Sequence, residues 1–295
     1  MREKKLDPLN VIFICSTHLV ALFAIYYMAA IHFSWWTVGL GVIWFALCGL
    51  GITAGYHRLF SHPTYKTNAF IRAFLLFFGA ASVQNSALKW SSDHRRHHAQ
   101  VDQDGDPYNI KRGFWWAHIG WIFYADVEKR EMLPMKDLRA DPLVVFQAKY
   151  YVLIAVVSAV LVPGALGLIW GDPIGAILVA GFLRLVVEWH ATFAINSVAH
   201  YIGSQPYSLG NSARDSWLTA WITFGEGYHN FHHKFQQDYR NGIRWYHLDP
   251  TKWLVWIGSK VGLTHDLKRT PDAAIERAKR EVFETLTSRV PSKAS

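Results

Sequence analysis

Cysteine is nearly missing from this chain: its 295 residues include two, Cys15 and Cys48, and both sit inside apolar runs. That excludes a disulfide framework and a CxxC metal motif, and it suits a reducing cytosolic face. A single bridge between the two is the most that cysteine could form. No fixed-period repeat and no low-complexity linker is present, so solenoid and array architectures are excluded. The first residues carry Arg2, Glu3, Lys4, Lys5 and Asp7, and the apolar run that follows is too long for a signal-peptide core and lacks a small-residue cleavage site. The formal charge is +8, yet no basic-aromatic recognition motif accompanies it. Nucleic-acid binding is therefore not expected. The charge reads instead as basic residues gathered on one side of a membrane.

Apolar sequence is what the chain has in abundance, and it comes in blocks. Four runs, 11–33, 35–54, 150–170 and 174–195, each have the roughly 20 apolar residues that a bilayer crossing needs. The first two are nearly continuous, and the last two are separated by Gly171, Asp172 and Pro173, a helix-stopping turn. Each pair predicts a tight helical hairpin. Of the 30 Lys and Arg, 29 lie before the first run, within 55–149, or after His200; the exception is Arg184. The positive-inside rule then places both termini and the middle segment in the cytoplasm. The predicted fold is an all-α integral membrane protein. Its four transmembrane helices form two hairpins, and a cytosolic helical cap over 55–149 and 200–270 carries the histidines. A charged tail over 271–295 is expected to fray.

A fifth apolar run, 69–88, is read as a buried or interfacial helix. It carries Arg72, Gln84, Asn85 and Ser86, and a crossing there would separate the histidines before and after it onto opposite faces. Trp115, Trp116, Trp121 and Tyr124 are expected to form an interfacial aromatic patch.

Fifteen histidines are present, and nine of them fall in clusters. His57 and His62 form HRLFSH. His94, His97 and His98 form HRRHH, His229, His232 and His233 form HNFHH, and His200 closes NSVAH. In a helix, positions i, i+3 and i+4 share a face, so each HxxHH can aim three imidazoles one way. His57 and His62 are about 140° apart on an ideal helix, which predicts that the helix ends between them. All the clusters emerge on the same side under the predicted topology. Nine imidazoles exceed what one four- to six-coordinate ion uses, so two ions are expected, and imidazole alone leaves iron, zinc, copper and nickel open. Asp93, Asp102, Asp106, Glu226 and Asp238 are candidates to orient the ligand rings. Asn196, four residues before His200, is a candidate metal contact, directly or through a water. His18, His32, His118, His190, His247 and His265 read singly as packed or interfacial residues. Arg184 and Glu188, four apart in the fourth run, form a costly intramembrane pair and are a functional suspect.

GITAGYHRLFSH, QNSALKWSSDHRRHH, DQDGDPYN, RGFWWAHIGW, NSVAH, GEGYHNFHH and DYRNGIRWYHLDPTKW resemble, in order, segments of the membrane fatty acyl desaturases, particularly the stearoyl-CoA, delta-9 type. The resemblance runs from about Gly51 to Lys268. It implies a helical membrane bundle with a bent acyl tunnel beneath two iron ions held by His57, His62, His94, His97, His98, His200, His229, His232 and His233. Asn196 would complete one shell through a water. Molecular oxygen is the implied co-substrate. The implied electron donor is separate, such as a ferredoxin or a cytochrome b5-type carrier with its reductase, since no haem-binding segment is visible. Asn85, Trp90 and Asp93 match substrate-head positions, and Trp90, Thr192 and Phe193 match positions that shape the tunnel bend. Phe45, about 18 Å along the helix from His57, is expected to cap the methyl end. Ser92 stands where the resemblance leads one to expect an arginine, and 122–126 lacks a basic pair, so acyl-CoA use follows less firmly than desaturation. Lys66, Arg95 and Lys111 are the remaining candidates for CoA phosphates. The competing readings are an acyl-lipid desaturase, a hydroxylase of the same superfamily, and a membrane metal transporter. The last would place ligands near the bilayer midplane rather than at the ends of spans.

Overall fold

The computed structural model describes residues 5–124 and 131–288. Residues 1–4, the Ala125–Asp126 step and the last seven residues of the tail lie outside the described residues. Among the described residues, four helices are long and apolar enough to cross a membrane: α1 Pro8–Ile31, α2 Trp35–Ser61, α8 Tyr151–Trp170 and α9 Pro173–His200. Between α2 and α8 lie α3 Ala69–Ala81, α4 Ala87–Gln100, α5 Phe114–His118, α6 Lys136–Arg139 and α7 Pro142–Lys149. After α9 come α10 Trp217–Ile222, α11 His229–Lys234, α12 Pro250–Lys260 and α13 Asp272–Ser288. Strands β1 Lys66–Thr67 and β2 Thr264–His265 pair antiparallel and tie the start of this region to its end.

Local chemistry starts these helices where the sequence signals it. Asp7 accepts from the Leu9 amide at 3.1 Å with Pro8 in the first turn, and Ser34 accepts from the Thr37 amide. Asn68 and Ser86 cap α3 and α4 in the same way. The α3 helix has 13 residues, about 20 Å, too short for a crossing of roughly 30 Å.

The second span departs from expectation. It does not end at 54. It continues to Ser61 with wide π-helical turns over Gly51–Ser61. The His62 amide donates to the His57 carbonyl at 3.2 Å, an i→i+5 bond. The wider turn sets His62 edge to face with His57, ring centroids 5.0 Å apart. The two share a face because the helix widens and, as expected, ends between them: Ser61 is its last residue and His62 its non-helical cap. Glycine makes room for the neighbour of this stretch: a Cβ on Gly51 would lie 2.4 Å from the Gly79 nitrogen of α3.

The spans pack through small and aromatic residues. Ile14 of α1 meets Leu185, Trp189 and Phe193 of α9. The Trp44 indole donates to the Ser158 carbonyl at 2.9 Å, joining α2 to α8. Far from the histidines, buried Asp172 accepts from the Tyr27 hydroxyl at 2.9 Å, from Thr37, and from the Gly175 amide. One carboxylate thus fastens α1, α2 and the start of α9. The Arg184–Glu188 pair is fully buried at 2.9 Å. Glu188 also accepts from the Ser82 hydroxyl at 2.6 Å, and Arg184 donates to the Ala81 carbonyl. The pair pins the end of α3 to α9 and neutralises the two charges inside the protein rather than in lipid, although Arg184 Nη2 makes no hydrogen bond among the described residues.

The aromatic patch expected at 115–124 does not form as a unit. Trp115 is exposed, while Trp116 is buried with the Arg112 guanidinium 3.4 Å above its ring, and Trp121 packs on Tyr108 and Phe193. Nor is the described part of the tail loose. Ile275 and Ala278 of α13 are buried in a cluster with Tyr207 and Phe231, next to the last histidine box.

Candidate metal centre

The nine clustered histidines come together as two adjoining groups. His57, His62, His94, His98 and His232 can each present one nitrogen, all within 4.8 Å of one another, and so can His97, His200, His229 and His233. His98 and His233 stack across the boundary with centroids 4.3 Å apart. Four elements deliver these rings: the wide end of α2, the face of α4 at i, i+3 and i+4, the 3₁₀ turn that closes α9, and α11.

The orientation of the rings is the telling feature. Nε2 atoms face Nε2 atoms: His62 to His94 at 2.8 Å, His57 to His232 at 3.0 Å, His232 to His98 at 2.9 Å, and His229 to His200 and to His233 at 3.1 Å each. For three rings the position of the hydrogen follows from the opposite side. His97 Nδ1 lies 2.8 Å from Asp106 Oδ1, and His57 Nδ1 lies 2.7 Å from Glu226 Oε2. Carboxylates only accept, so each Nδ1 carries the hydrogen and each Nε2 is a bare lone pair. His200 Nδ1 meets the Ser212 hydroxyl at 2.7 Å, and that hydroxyl is already donated to Asp102. His200 therefore also donates through Nδ1. Bare lone pairs converging in a buried space repel one another unless a cation sits among them, so the donor set fits two imidazole-ligated metal ions.

Burial and the neighbouring rings push His62, His94, His98, His232 and His233 well below the usual histidine range, and burial lowers His229 to about 3. The rings are neutral at physiological pH, the form that binds metal. Burial works to raise the Glu226 carboxyl, but His57 and Arg58 outweigh it and hold it at about 2.

Of the candidates to orient rings, Asp106, Glu226 and, through Ser212, Asp102 do so. Asp238 does not: it is bonded to the Arg240 guanidinium two residues away and to the Thr270 amide. Asp93 takes the ammonium of Lys89 one turn earlier. Sequence reasoning missed Arg58, buried between Glu226 and Asp249 at 2.9 Å from each. Asp249 in turn accepts from the Asn241, Gly242 and Lys252 amides.

Three small cavities run past the histidines and share walls. The first, about 210 Å³, is lined by Asn85, Trp90, Asp93, His94, Thr192, Phe193 and Asn196 among others. The second, about 40 Å³, shares Trp90, His94, Thr192 and Asn196 with it and is lined by His57, His97 and His229. The third, about 20 Å³, shares Ile52, Thr53, Thr192 and Ile195 with the second and ends at Phe45 and Phe224, whose rings are 5.5 Å apart. All six substrate candidates line this string, and Asn196 sits where the first two cavities meet beside the second histidine group. Asn85 holds a left-handed backbone, φ 75°, in the tight turn between α3 and α4, and its amide donates to the Tyr151 hydroxyl at 3.0 Å. Two of the three candidate phosphate contacts are otherwise engaged. Lys66 pairs with Asp266, and Arg95 pairs with Asp137 and donates to the Phe60 and Ser61 carbonyls. Lys111 is exposed, within the 3₁₀ turn Ile110–Arg112 before α5.

The family model for fatty acid desaturases matches residues 33–259. A probable acyl-CoA desaturase of Schizosaccharomyces pombe is 47% identical over 82% of this chain and 51% of its own length. Acyl-CoA desaturase 1 of Saccharomyces cerevisiae is 41% identical over 94% of this chain and 54% of its own length. The sn-1 stearoyl-lipid 9-desaturase of Anabaena variabilis is 34% identical over 90% of this chain and 95% of its own length. The chain thus spans about half the length of the two yeast relatives and nearly all of the cyanobacterial one. From the extent of the family match and these identities, the chain belongs to the fatty acid desaturase family.

Proposed function

We propose that this chain is an oxygen-dependent fatty acyl desaturase that uses two histidine-bound iron ions to convert a saturated acyl-CoA to its delta-9 alkene. The observation that carries the reading is the pair of inward-facing imidazole groups set against a string of narrow, mostly apolar cavities. In overall balance, one CH2–CH2 unit, O2, two electrons and two protons give CH=CH and two waters. An unactivated methylene is too inert for side-chain acid–base chemistry, and the bound iron and oxygen supply the oxidising power.

The chain's own residues hold the rings, seat the acyl chain and exclude water. Trp90 stacks on His94 with centroids 4.9 Å apart, and its indole donates to Gln84 Oε1 at 3.3 Å. The Gln84 amide donates to the Thr192 hydroxyl at 3.0 Å. Gln84 thereby links the two walls that bracket the passage from the first cavity to the second. A fixed passage of this width holds one carbon pair beside the histidines, which lowers the entropic part of the barrier. Phe45 and Phe224 close the far end, where the methyl terminus of the chain would stop.

Electrons come in this reading from a separate carrier, a ferredoxin or a cytochrome b5-type protein with its reductase. An open depression lined by His62, His98, Arg95, Gln236 and Gln237 supports a docking place from which ligand rings are reached directly. The charge distribution supports a multi-pass protein with both termini and the metal groups on the cytoplasmic side. The acyl-lipid reading is favoured by one observation: Ser92, where an arginine was expected, is fully buried and accepts the Leu133 amide at 2.8 Å.

Expression in cells that lack their own desaturase, followed by fatty-acid analysis, tests the proposal. The expected product is a delta-9 monoene of a saturated acyl chain. Hydroxylated products, or none in the presence of a competent donor, would overturn it. Purified protein given stearoyl-CoA and stearoyl-lipid side by side decides the headgroup.

A further inference from the structure

Three histidines outside the metal groups stand in a line. His18 of α1, His190 of α9 and His118 at the end of α5 meet nitrogen to nitrogen: His18 Nε2 to His190 Nε2 at 3.1 Å, and His190 Nδ1 to His118 Nε2 at 3.0 Å. One end of the line is the Ile14 carbonyl, 2.7 Å from His18 Nδ1. The other is the Ser197 hydroxyl, 2.9 Å from His118 Nδ1. Ser197 is fully buried and caps the α-helical part of α9. Asn196 precedes it, and the 3₁₀ turn that follows ends on His200.

The hydrogens can be counted. A carbonyl only accepts, so His18 Nδ1 donates to Ile14. A neutral imidazole has one N–H, so His18 Nε2 accepts and His190 Nε2 donates to it. His190 Nδ1 then accepts from His118 Nε2, which leaves His118 Nδ1 as an acceptor for the Ser197 hydroxyl. Three neutral rings have one arrangement in which all four of these contacts are hydrogen bonds; the reverse direction gives up the Ile14 bond while Ser197 donates to the Phe193 carbonyl. Burial lowers His118 below the ordinary histidine value and favours the neutral ring. The Ser197 hydroxyl has one alternative acceptor, the Phe193 carbonyl at 2.8 Å, which already receives the Ser197 amide at 3.1 Å. Polar side chains within spans persist when they satisfy one another, as these do.

We propose that His118, braced by His190 and His18, is a positioning residue for the metal centre: it takes the Ser197 hydroxyl and so fixes the turn that carries Asn196 and His200 to the second histidine group. The proposal rests on the metal reading above. His200 is already held from its other side by Ser212 and Asp102. The relay supplies the opposing constraint on the backbone, and it ties that constraint to the first span.

The test uses the full chain in nanodiscs. Asparagine places its amide where Nδ1 was, and glutamine places its amide where Nε2 was. His118→Asn therefore keeps the Ser197 contact and cuts the line to His190, whereas His118→Gln does the reverse. Iron retained against a graded chelator is measured together with the Mössbauer spectrum and the thermal midpoint of the metal-free protein. The expected result is at least fivefold weaker retention of one of two irons in His118→Gln and in Ser197→Ala. His118→Asn, which keeps the Ser197 contact but loses the brace, should fall between wild type and His118→Gln, and metal-free midpoints should be alike across the set. Equal loss in His118→Asn and His118→Gln, or loss in neither, overturns the proposal while leaving the metal reading intact. Wild-type protein without iron overturns both. In metal-free protein labelled with nitrogen-15 histidine, the expected tautomers are Nδ1–H at His18 and Nε2–H at His190 and His118. A neutral His118 protonated at Nδ1 would also overturn it.

Discussion

Replacing Asp106 with asparagine isolates the contribution of ring orientation to metal binding. The carboxylate is buried, and both of its oxygens are committed to donors. Oδ1 takes His97 Nδ1 at 2.8 Å and the Tyr108 amide at 3.0 Å, and Oδ2 takes the Asp102 amide at 3.2 Å. Asparagine has one oxygen. If its NH2 replaces Oδ2, it faces the Asp102 N–H. If it replaces Oδ1, it faces the Tyr108 N–H and turns the His97 hydrogen toward the metal. Either way one buried donor is left unpaired, at a cost of about 1–3 kcal/mol to the fold. Loss of such an outer partner typically weakens metal binding about 10–100-fold, which at about 1.4 kcal/mol per tenfold is roughly 1.4–2.8 kcal/mol. The assay is iron retained by the purified protein across a chelator series, with circular dichroism to show that the helices persist. Asp106→Asn should lose the iron of the His97 group first and keep that of the other group. Retention equal to wild type at every chelator concentration would refute the claim that Asp106 sets the His97 tautomer.

Other consequences can be checked with the same preparation. Phe45→Ala opens the closed end of the third cavity, so the product profile should shift toward longer acyl chains; an unchanged profile on mixed substrates counts against a capping role. Gly51→Ala drives a methyl to 2.4 Å from the Gly79 nitrogen, and such overpacking costs about 1–3 kcal/mol, readable as a lower thermal midpoint. Metal-free protein should lose stability as the pH falls. His229 sits at about 3 against an ordinary 6.5, so the unfolded chain binds more protons in that window; Glu226, at about 2 against 4.5, adds loss in the same direction below 4.5. A stability curve flat from pH 7 to pH 4 would contradict these assignments.

Much of the centre is written in local spacing. HRRHH and HNFHH fall on helical faces because i, i+3 and i+4 always do, and both lie in helices here. The five-residue step in HRLFSH signals the helix end that falls at Ser61, but not the widening of α2 beside the closely packed Gly51 and Gly55, which is a tertiary effect. Asp238 follows the last histidine box, but the Arg240 guanidinium two residues on takes its carboxylate. Arg58, Glu226 and Asp249 are joined across 168 and 191 residues, which no short spacing reveals. His18, His118 and His190 looked like isolated packed residues for the same reason: their partners are on other helices.

Metal analysis of the purified chain tests the account most directly. Two iron ions per chain are expected, with His97→Ala and His232→Ala each reducing that count and abolishing the unsaturated product while the protein still inserts. Protein that is folded and inserted but holds no iron, or whose iron is unaffected by either substitution, would contradict it.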